Sequence, residues 1–327
     1  MSGAGSLEAV REALGPRALV DGPLGALTTY RVGGRAALSL TVDDPGDLDL
    51  VHRALVAAGG PVPVFLLGKG SNLLVADAGF PGLVLTLGPG LSQVDLEGSR
   101  VRAGGGAGLP VVARRSAAAG LRGLEWAVGV PGSVGGALFM NAGGHGSETA
   151  AVLSGCRIFD LSLGRAWEGD PAPLGHRYRH STLGPADVVV WADFQLEPGD
   201  RGEAEQAIAE IVRWRRLHQP GGANAGSVFT NPPGDSAGRL VDAAGLRGFR
   251  LGSARVSEKH ANFIQADPGG TAGDVRLLVD RVRAQVAALF SVELVPELRM
   301  LGFDDEPLPT VTAPAATAFQ PSTSTGA

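Results

Sequence analysis

Glycine limits what this chain can become more than any other feature. It supplies 50 of the 327 residues, without a triplet period or Ser/Gln bias, which excludes a collagen-like helix and a low-complexity tract. The glycines cluster between apolar runs. Ordering glycine costs more backbone entropy than ordering any other residue, so each cluster has to be held by something packed closely against it. In residues 66–75, LLGKGSNLLV, a strand enters Gly68, Lys69, Gly70, Ser71 and Asn72 and returns at once to a strand. Bare amides in such a loop can face an anion, yet the spacing lacks the third glycine of G-x-G-x-x-G and the Ser/Thr after the lysine of a P-loop. A phosphate cradle and a plain tight turn both fit. Residues 123–148, GLEWAVGVPGSVGGALFMNAGGHGSE, are denser still. They read as close packing around a ligand or as a small-residue helix against a sheet.

At about 150 residues per domain the length predicts two or three domains. Apolar residues at 44%, charged residues at 19% and a net charge of -5 describe an ordinary globular protein without a large basic surface, so no nucleic-acid partner is expected. Cys156 is the only cysteine, which rules out an internal disulfide. The histidines show no ligand spacing, so no metal is expected. No apolar run reaches the roughly 18 residues of a membrane span, and the first residues lack the pattern of a signal peptide; the expectation is a cytoplasmic protein with no membrane partner. Only Lys69 and Lys259 are lysines among 28 basic residues, which singles them out.

Along the chain, residues 1–23 read as a short helix (Leu7 to Leu14) and a loop. Residues 28–42 read as strand, Gly-Gly turn, strand. A helix capped by Asp44, with Leu48, Val51 and Leu55 on one face, stops at Gly59 and Gly60. Residues 72–103 are β-rich and end in a hairpin over Gly98 and Ser99, before a helix from Leu109 to Ala119. Strands return at SGCRIFD and DVVVWADFQLE. Gly199 and Asp200 form a linker into further helices, the last capped by Thr271 with Val275, Leu278, Val282, Val286 and Leu289 facing a core. A strand over VELVPELRMLG closes the fold, and residues 304–327 read as a disordered tail. The class is α+β rather than a regular βαβ array.

Three further motifs place groups able to act as acid, base or charge clamp beside turns or strands: Arg179 in HRYRHS, Ser227 in NAGSVFTNP and Glu297 in VPELR. No G-x-S-x-G surrounds Ser227, so a hydrolase nucleophile is disfavoured. Taken in order, TTYRVGG, LGKGSNLLV, GLEWAVGVPGSVGGALFMNAGGHGSE, YRHS, AGSVFTNP, AGRLVDAAGLRG, VSEKHANFIQAD and VPELR cover residues 24–302. This succession resembles the UDP-N-acetylenolpyruvoylglucosamine reductase family, flavoproteins of peptidoglycan precursor synthesis.

The resemblance implies a two-lobe FAD-binding domain of the vanillyl-alcohol-oxidase type over residues 24–199, split near 70, and a smaller α+β substrate-binding domain over 200–303. It implies FAD as cofactor, NADPH as hydride donor, UDP-N-acetylglucosamine enolpyruvate as the substrate reduced to UDP-N-acetylmuramate, and a monomer. Carried over position by position, it makes Ser227 the acid, with Arg179 and Glu297 polarising the substrate. Tyr30, Gly68, Lys69, Gly70, Ser71, Asn72, Gly129, Pro131, Gly132, Ser133, Gly136, Asn141, Ala142 and Gly143 fall to the cofactor. Tyr178, Asn231, Lys259 and His260 fall to the substrate. The short stretch between Ser181 and Val188 is similar to the subclass without a tyrosine-bearing insertion. Arg215 and Arg216 are the candidates for a basic residue that the family places ahead of the serine. Two alternatives remain at this point: another FAD-dependent alcohol oxidoreductase of the same fold, and a catalytically silent UDP-sugar-binding module.

Overall fold

The computed structural model describes residues 3–314. A first five-stranded sheet runs in the order Leu19–Pro23, Arg35–Val42, Phe80–Leu87, Val62–Leu67, Thr310–Val311. Its three inner strands are parallel and its outer pairings antiparallel. Helices α1 (Gly3–Leu14) and α2 (Pro45–Ala58) cover it, with Val10, Leu14, Leu48, Val51 and Leu55 in one cluster with Leu38, Leu40, Val62 and Val64. The Asp44 side chain accepts from the Asp47 amide, and Gly59 ends α2 in the left-handed conformation at φ 62°, as the sequence predicts.

A second sheet, fully antiparallel, runs Arg165–Gly169, Leu153–Asp160, Asp187–Gln195, Arg100–Gly104, Val94–Glu97. Helices α3 (Leu109–Ala118), α4 (Val134–Met140) and α5 (Arg201–His218) pack on it. Phe159, Val188 and Val190 of this sheet, with Leu161 just past its strand, enter the first lobe's core, so the two lobes share an apolar seam. The third lobe sets α6 (Ala237–Ala243) and α7 (Ala272–Phe290) on the three short antiparallel strands Arg250–Leu251, Ala254–Val256 and Ile264–Ala266. It joins the first lobe where Arg299–Leu301 lies parallel to Leu73–Val75, and where the Asp77 carboxylate accepts from the Ala272 and Gly273 amides at 2.8 and 2.9 Å. Among the described residues no helix is long and apolar enough to cross a membrane.

The structure moves several expected boundaries. Residues 19–23 form an edge strand rather than a loop, and it is this strand, not one over 28–32, that pairs antiparallel with Arg35–Val42. Thr28 instead closes a turn, its hydroxyl donating to the Gly25 carbonyl at 2.8 Å and accepting from the Arg31 amide; local side-chain bonding outweighs β-propensity there. The first sheet continues to Leu87, so the lobes divide after that residue rather than near 70. Asp200 is not a linker residue but the N-cap of α5, accepting from the Glu203 amide at 2.9 Å. Ala204 and Ile208 belong to the second lobe's core, so the third lobe begins after His218.

On α7, Leu289 is 59% exposed while Val279 is fully buried, because the last turn presents Phe290 rather than Leu289 to the third lobe's core. The expected tail is ordered through residue 314. Arg276 pairs with Asp305 and Glu306, and Thr310–Val311 adds to the open edge beside Val62 and Pro63, burying Val311 and Ala313. Composition averaged over the segment hid one short strand with an edge to pair with. Residues 315–327 lie outside the described residues.

Candidate functional site

The two glycine clusters, far apart in sequence, face each other where the three lobes meet. A Cβ on Gly68 would come 2.5 Å from the Ser133 hydroxyl. A Cβ on Gly70, at φ +60°, would come 2.7 Å from the Leu27 carbonyl oxygen, so this position needs both glycine's small size and its left-handed freedom. Ser71 Oγ lies 3.7 Å from where a Gly132 Cβ would stand, and the Gly70 carbonyl accepts from the Thr29 amide at 3.0 Å. Ser133 caps α4 by accepting from the Gly136 amide at 3.2 Å. Lys69, Pro131 and Gly136 are exposed along the rim, with Gly129 and Gly132 half-buried.

Asn141 ends α4 in the left-handed conformation and is fully buried. Its amide donates to the Arg177 carbonyl and its oxygen accepts from the Ala150 amide, so its side chain braces the loop rather than opening onto the cleft. The Ala142 carbonyl accepts from both the Thr149 amide and hydroxyl. Tyr30 is 1% exposed, packed among Val32, Leu74, Ala225 and Val228. Its hydroxyl has no hydrogen-bond partner, and burial alone pushes its pKa up.

Arg179 of the second lobe pairs with Glu297 of the third, and Ser227 lies on the segment beside Glu297. Arg179, at φ 54°, donates through Nε to Glu297 Oε1 at 2.8 Å and through Nη2 to the Gly143 carbonyl at 3.1 Å. Its guanidinium also lies 4.9 Å from the Tyr178 ring centre. The Glu297 amide donates to the Val228 carbonyl at 2.8 Å, which sets Glu297 on the segment beside Ser227. Asn262 staples that segment, its oxygen accepting from the Phe229 amide at 3.0 Å and its nitrogen donating to the Phe229 carbonyl at 2.8 Å. Burial raises the Glu297 pKa and the Arg179 charge pulls it back down. The result is one carboxylate and one guanidinium clamped together, with a hydroxyl-bearing residue on the neighbouring strand segment.

The expected substrate residues divide. Tyr178 is exposed beside Arg179. Asn231 is exposed, but its oxygen already accepts from the Ala237 amide at the start of α6. Lys259 Nζ donates to the Arg216 carbonyl at 2.7 Å, at the C-terminal end of α5. His260 packs against Phe263 and, at 3.1 Å, against the place of a Gly238 Cβ, while burial lowers its pKa; it braces α6. Of the two arginines ahead of Ser227, Arg215 faces the cleft, with Cδ 3.5 Å from where a Gly129 Cβ would stand. Sequence reasoning missed Arg299, whose guanidinium stacks 5.2 Å from the Phe139 ring centre. The signal was present, because residues i and i+2 of an extended segment share a face, and Glu297 and Arg299 are so spaced. Asn262 was missed as well; nothing in the pattern distinguishes a stapling asparagine from a turn residue. Among the described residues, no three His, Cys, Asp or Glu side chains gather as a metal site.

Comparison with known proteins gives two family matches, an FAD binding domain over residues 41–168 and the C-terminal domain of UDP-N-acetylenolpyruvoylglucosamine reductase over 218–301. UDP-N-acetylenolpyruvoylglucosamine reductase 2 of Symbiobacterium thermophilum is 43% identical over 282 residues, covering 86% of this chain and 91% of the relative. The reductase of Rubrobacter xylanophilus is 43% identical over 290 residues, covering 88% and 96%. The crystal structure of the Thermus caldophilus reductase superposes with a TM-score of 0.76 at 36% identity, covering 87% of this chain and 98% of that one.

Proposed function

The chain belongs to the UDP-N-acetylenolpyruvoylglucosamine reductase family, and from that premise we propose which of its residues perform the reaction. The protein is an FAD-dependent oxidoreductase that reduces the enolpyruvyl group of UDP-N-acetylglucosamine enolpyruvate with NADPH, giving UDP-N-acetylmuramate. The glycine loops fit the cofactor: a Cβ at Gly68 would crowd Ser133 of the second loop and one at Gly70 would meet the Leu27–Thr28 backbone, and their open amides suit a diphosphate. FAD, when bound, supplies a hydride that originates on NADPH to the enolpyruvyl double bond.

This chain's own residues handle charge and the proton. Hydride addition at the β-carbon leaves negative charge on the α-carbon and its carboxylate. The Arg179 guanidinium is the preorganised positive group for that charge, the kind of contribution worth about 3 kcal/mol per donor. Glu297, through its bond to Arg179 Nε, fixes the direction of the guanidinium. The Ser227 hydroxyl gives its proton to the α-carbon, which is more basic than an alkoxide. Gly68 to Ser71, with the glycine stretch from Gly129 to Gly143, hold the cofactor, and Arg215, Tyr178 and Lys259 flank the nucleotide of the substrate. The observation that carries this reading is the single arginine fork joining the Gly143 carbonyl to the Glu297 carboxylate.

The decisive experiment separates the two half-reactions. Ser227→Ala should leave stopped-flow bleaching of the flavin by NADPH nearly intact, and slow recovery of the absorbance on adding the enolpyruvyl substrate by about 10²- to 10⁴-fold, the range for a removed acid. Equal slowing of both phases would mean that Ser227 supports the fold or the cofactor instead. The same reading places the enzyme in the cytoplasm, in peptidoglycan precursor synthesis and so in cell-wall growth and division. It also makes the enzyme a monomer acting on small molecules; the net charge of -5 favours neither nucleic acid nor an anionic membrane as partner. Light scattering on the purified protein reads its mass directly.

A further inference from the structure

Asn72 closes the glycine loop of the first lobe, and both of its polar ends are tied to the third. Its side-chain Nδ2 donates to the Glu297 carbonyl at 3.0 Å, and its own carbonyl accepts from the Arg299 amide at 3.2 Å. The parallel pairing of Leu73–Val75 with Arg299–Leu301 continues directly from there. The Glu297 peptide is therefore held on both sides, its N–H by the Val228 carbonyl and its C=O by Asn72. The amide has one carbonyl and two N–H groups to offer, and the bond it makes points at the catalytic segment, not into the glycine loop.

We propose that Asn72 is a positioning residue for Glu297: its side chain makes the cofactor loop and the carboxylate that orients Arg179 one mechanical unit. The proposal rests on the site reading above and deepens it. A displacement of about 1 Å in such a group costs up to about 10²-fold in rate, so a single hydrogen bond to the Glu297 backbone suffices to matter. The glycines beside Asn72 remain the residues that contact the cofactor.

Three holoenzyme variants test it. Asn72→Ala deletes the donor, Asn72→Asp keeps the shape but turns an acceptor toward the Glu297 carbonyl, and Asn72→Gln keeps an N–H donor. For Ala and Asp, flavin-to-protein absorbance should stay stoichiometric. The substrate half-reaction should fall about 10- to 100-fold further than flavin bleaching by NADPH, and the acid limb of its pH profile should move. Gln should recover a substantial part of the loss. Hydrogen exchange, a readout independent of activity, should quicken in the peptide spanning 295–299 of the Ala variant and not in 130–143. Loss of flavin in proportion to activity, with a native rate per bound flavin, would make Asn72 a cofactor ligand and overturn the proposal; so would unchanged exchange at 295–299. If Ser227→Ala, run alongside, left the substrate half-reaction at its native rate while exchange at 295–299 still quickened in Asn72→Ala, the site reading would fall and the tether would stand.

Discussion

Glu297 and Arg179 are only 17% and 23% exposed at the side chain, so each sets the other's chemistry. Burial raises the carboxyl pKa and the guanidinium opposes that rise. In the site as read here the carboxylate works ionised, so the substrate half-reaction should lose rate as pH falls through a value above the ordinary glutamate range of about 4.3. Removing the opposing charge in Arg179→Gln should slow that half-reaction and move its acid limb to still higher pH. A limb that moved downward would mean the titrating group is not Glu297. At this scale the sequence shows the motifs that carry Arg179, Ser227 and Glu297, and the structure adds that Arg179 pairs with Glu297. Where their neighbours' hydrogen bonds go was not legible: Asn141, Asn231 and His260 match motifs too, yet each braces backbone or a helix, since a side chain's partners are set by chains that arrive from elsewhere.

Helix α2 shows how an element is secured at its first turn. Its Asp47 side chain is 7% exposed and pairs with Arg17, while also accepting from the Asp43 amide at 2.8 Å. The bond to Arg17 is the largest cause that lowers its pKa. A depressed folded pKa means that the unfolded chain takes up the proton first as pH falls. The stability is therefore full above the unfolded pKa and is lost as pH drops through the folded one. Asp47→Asn should destabilise the protein by about 1–3 kcal/mol at neutral pH, with the difference from the native protein shrinking in acid; equal losses at both pH values in denaturant titrations would contradict the ion-pair account. The Asp44 cap and the apolar face of α2 were readable because capping and helical period are local. The exposed Leu289 at the end of α7 was not, since Leu289 and Phe290 are both apolar and only the packing decides that Phe290 is turned to the core.

For the whole molecule, the chain's last described stretch straps the third lobe to the first. Arg276 on α7 holds Asp305 and Glu306, and Thr310–Val311 then extends the first sheet beside Val62. Val311 is 2% exposed, so Val311→Asp would bury a charge without a partner. The expected result is a melting temperature lowered by several degrees, consistent with a loss of about 2 kcal/mol or more in a chain of this size. An unchanged melt would show that the strap does not hold the lobes. By itself the sequence determined the α+β class, the capped helices, the hairpin over Gly98 and Ser99, and the order of motifs that names the family, because propensity, turn chemistry and motif spacing act over a few residues. Tertiary structure alone decided which edge the final strand joins, that α5 belongs to the second lobe, and that Asn72 reaches Glu297 across 225 positions. Such contacts depend on which unpaired edges and buried carbonyls the assembled lobes leave facing each other, and no local pattern encodes that.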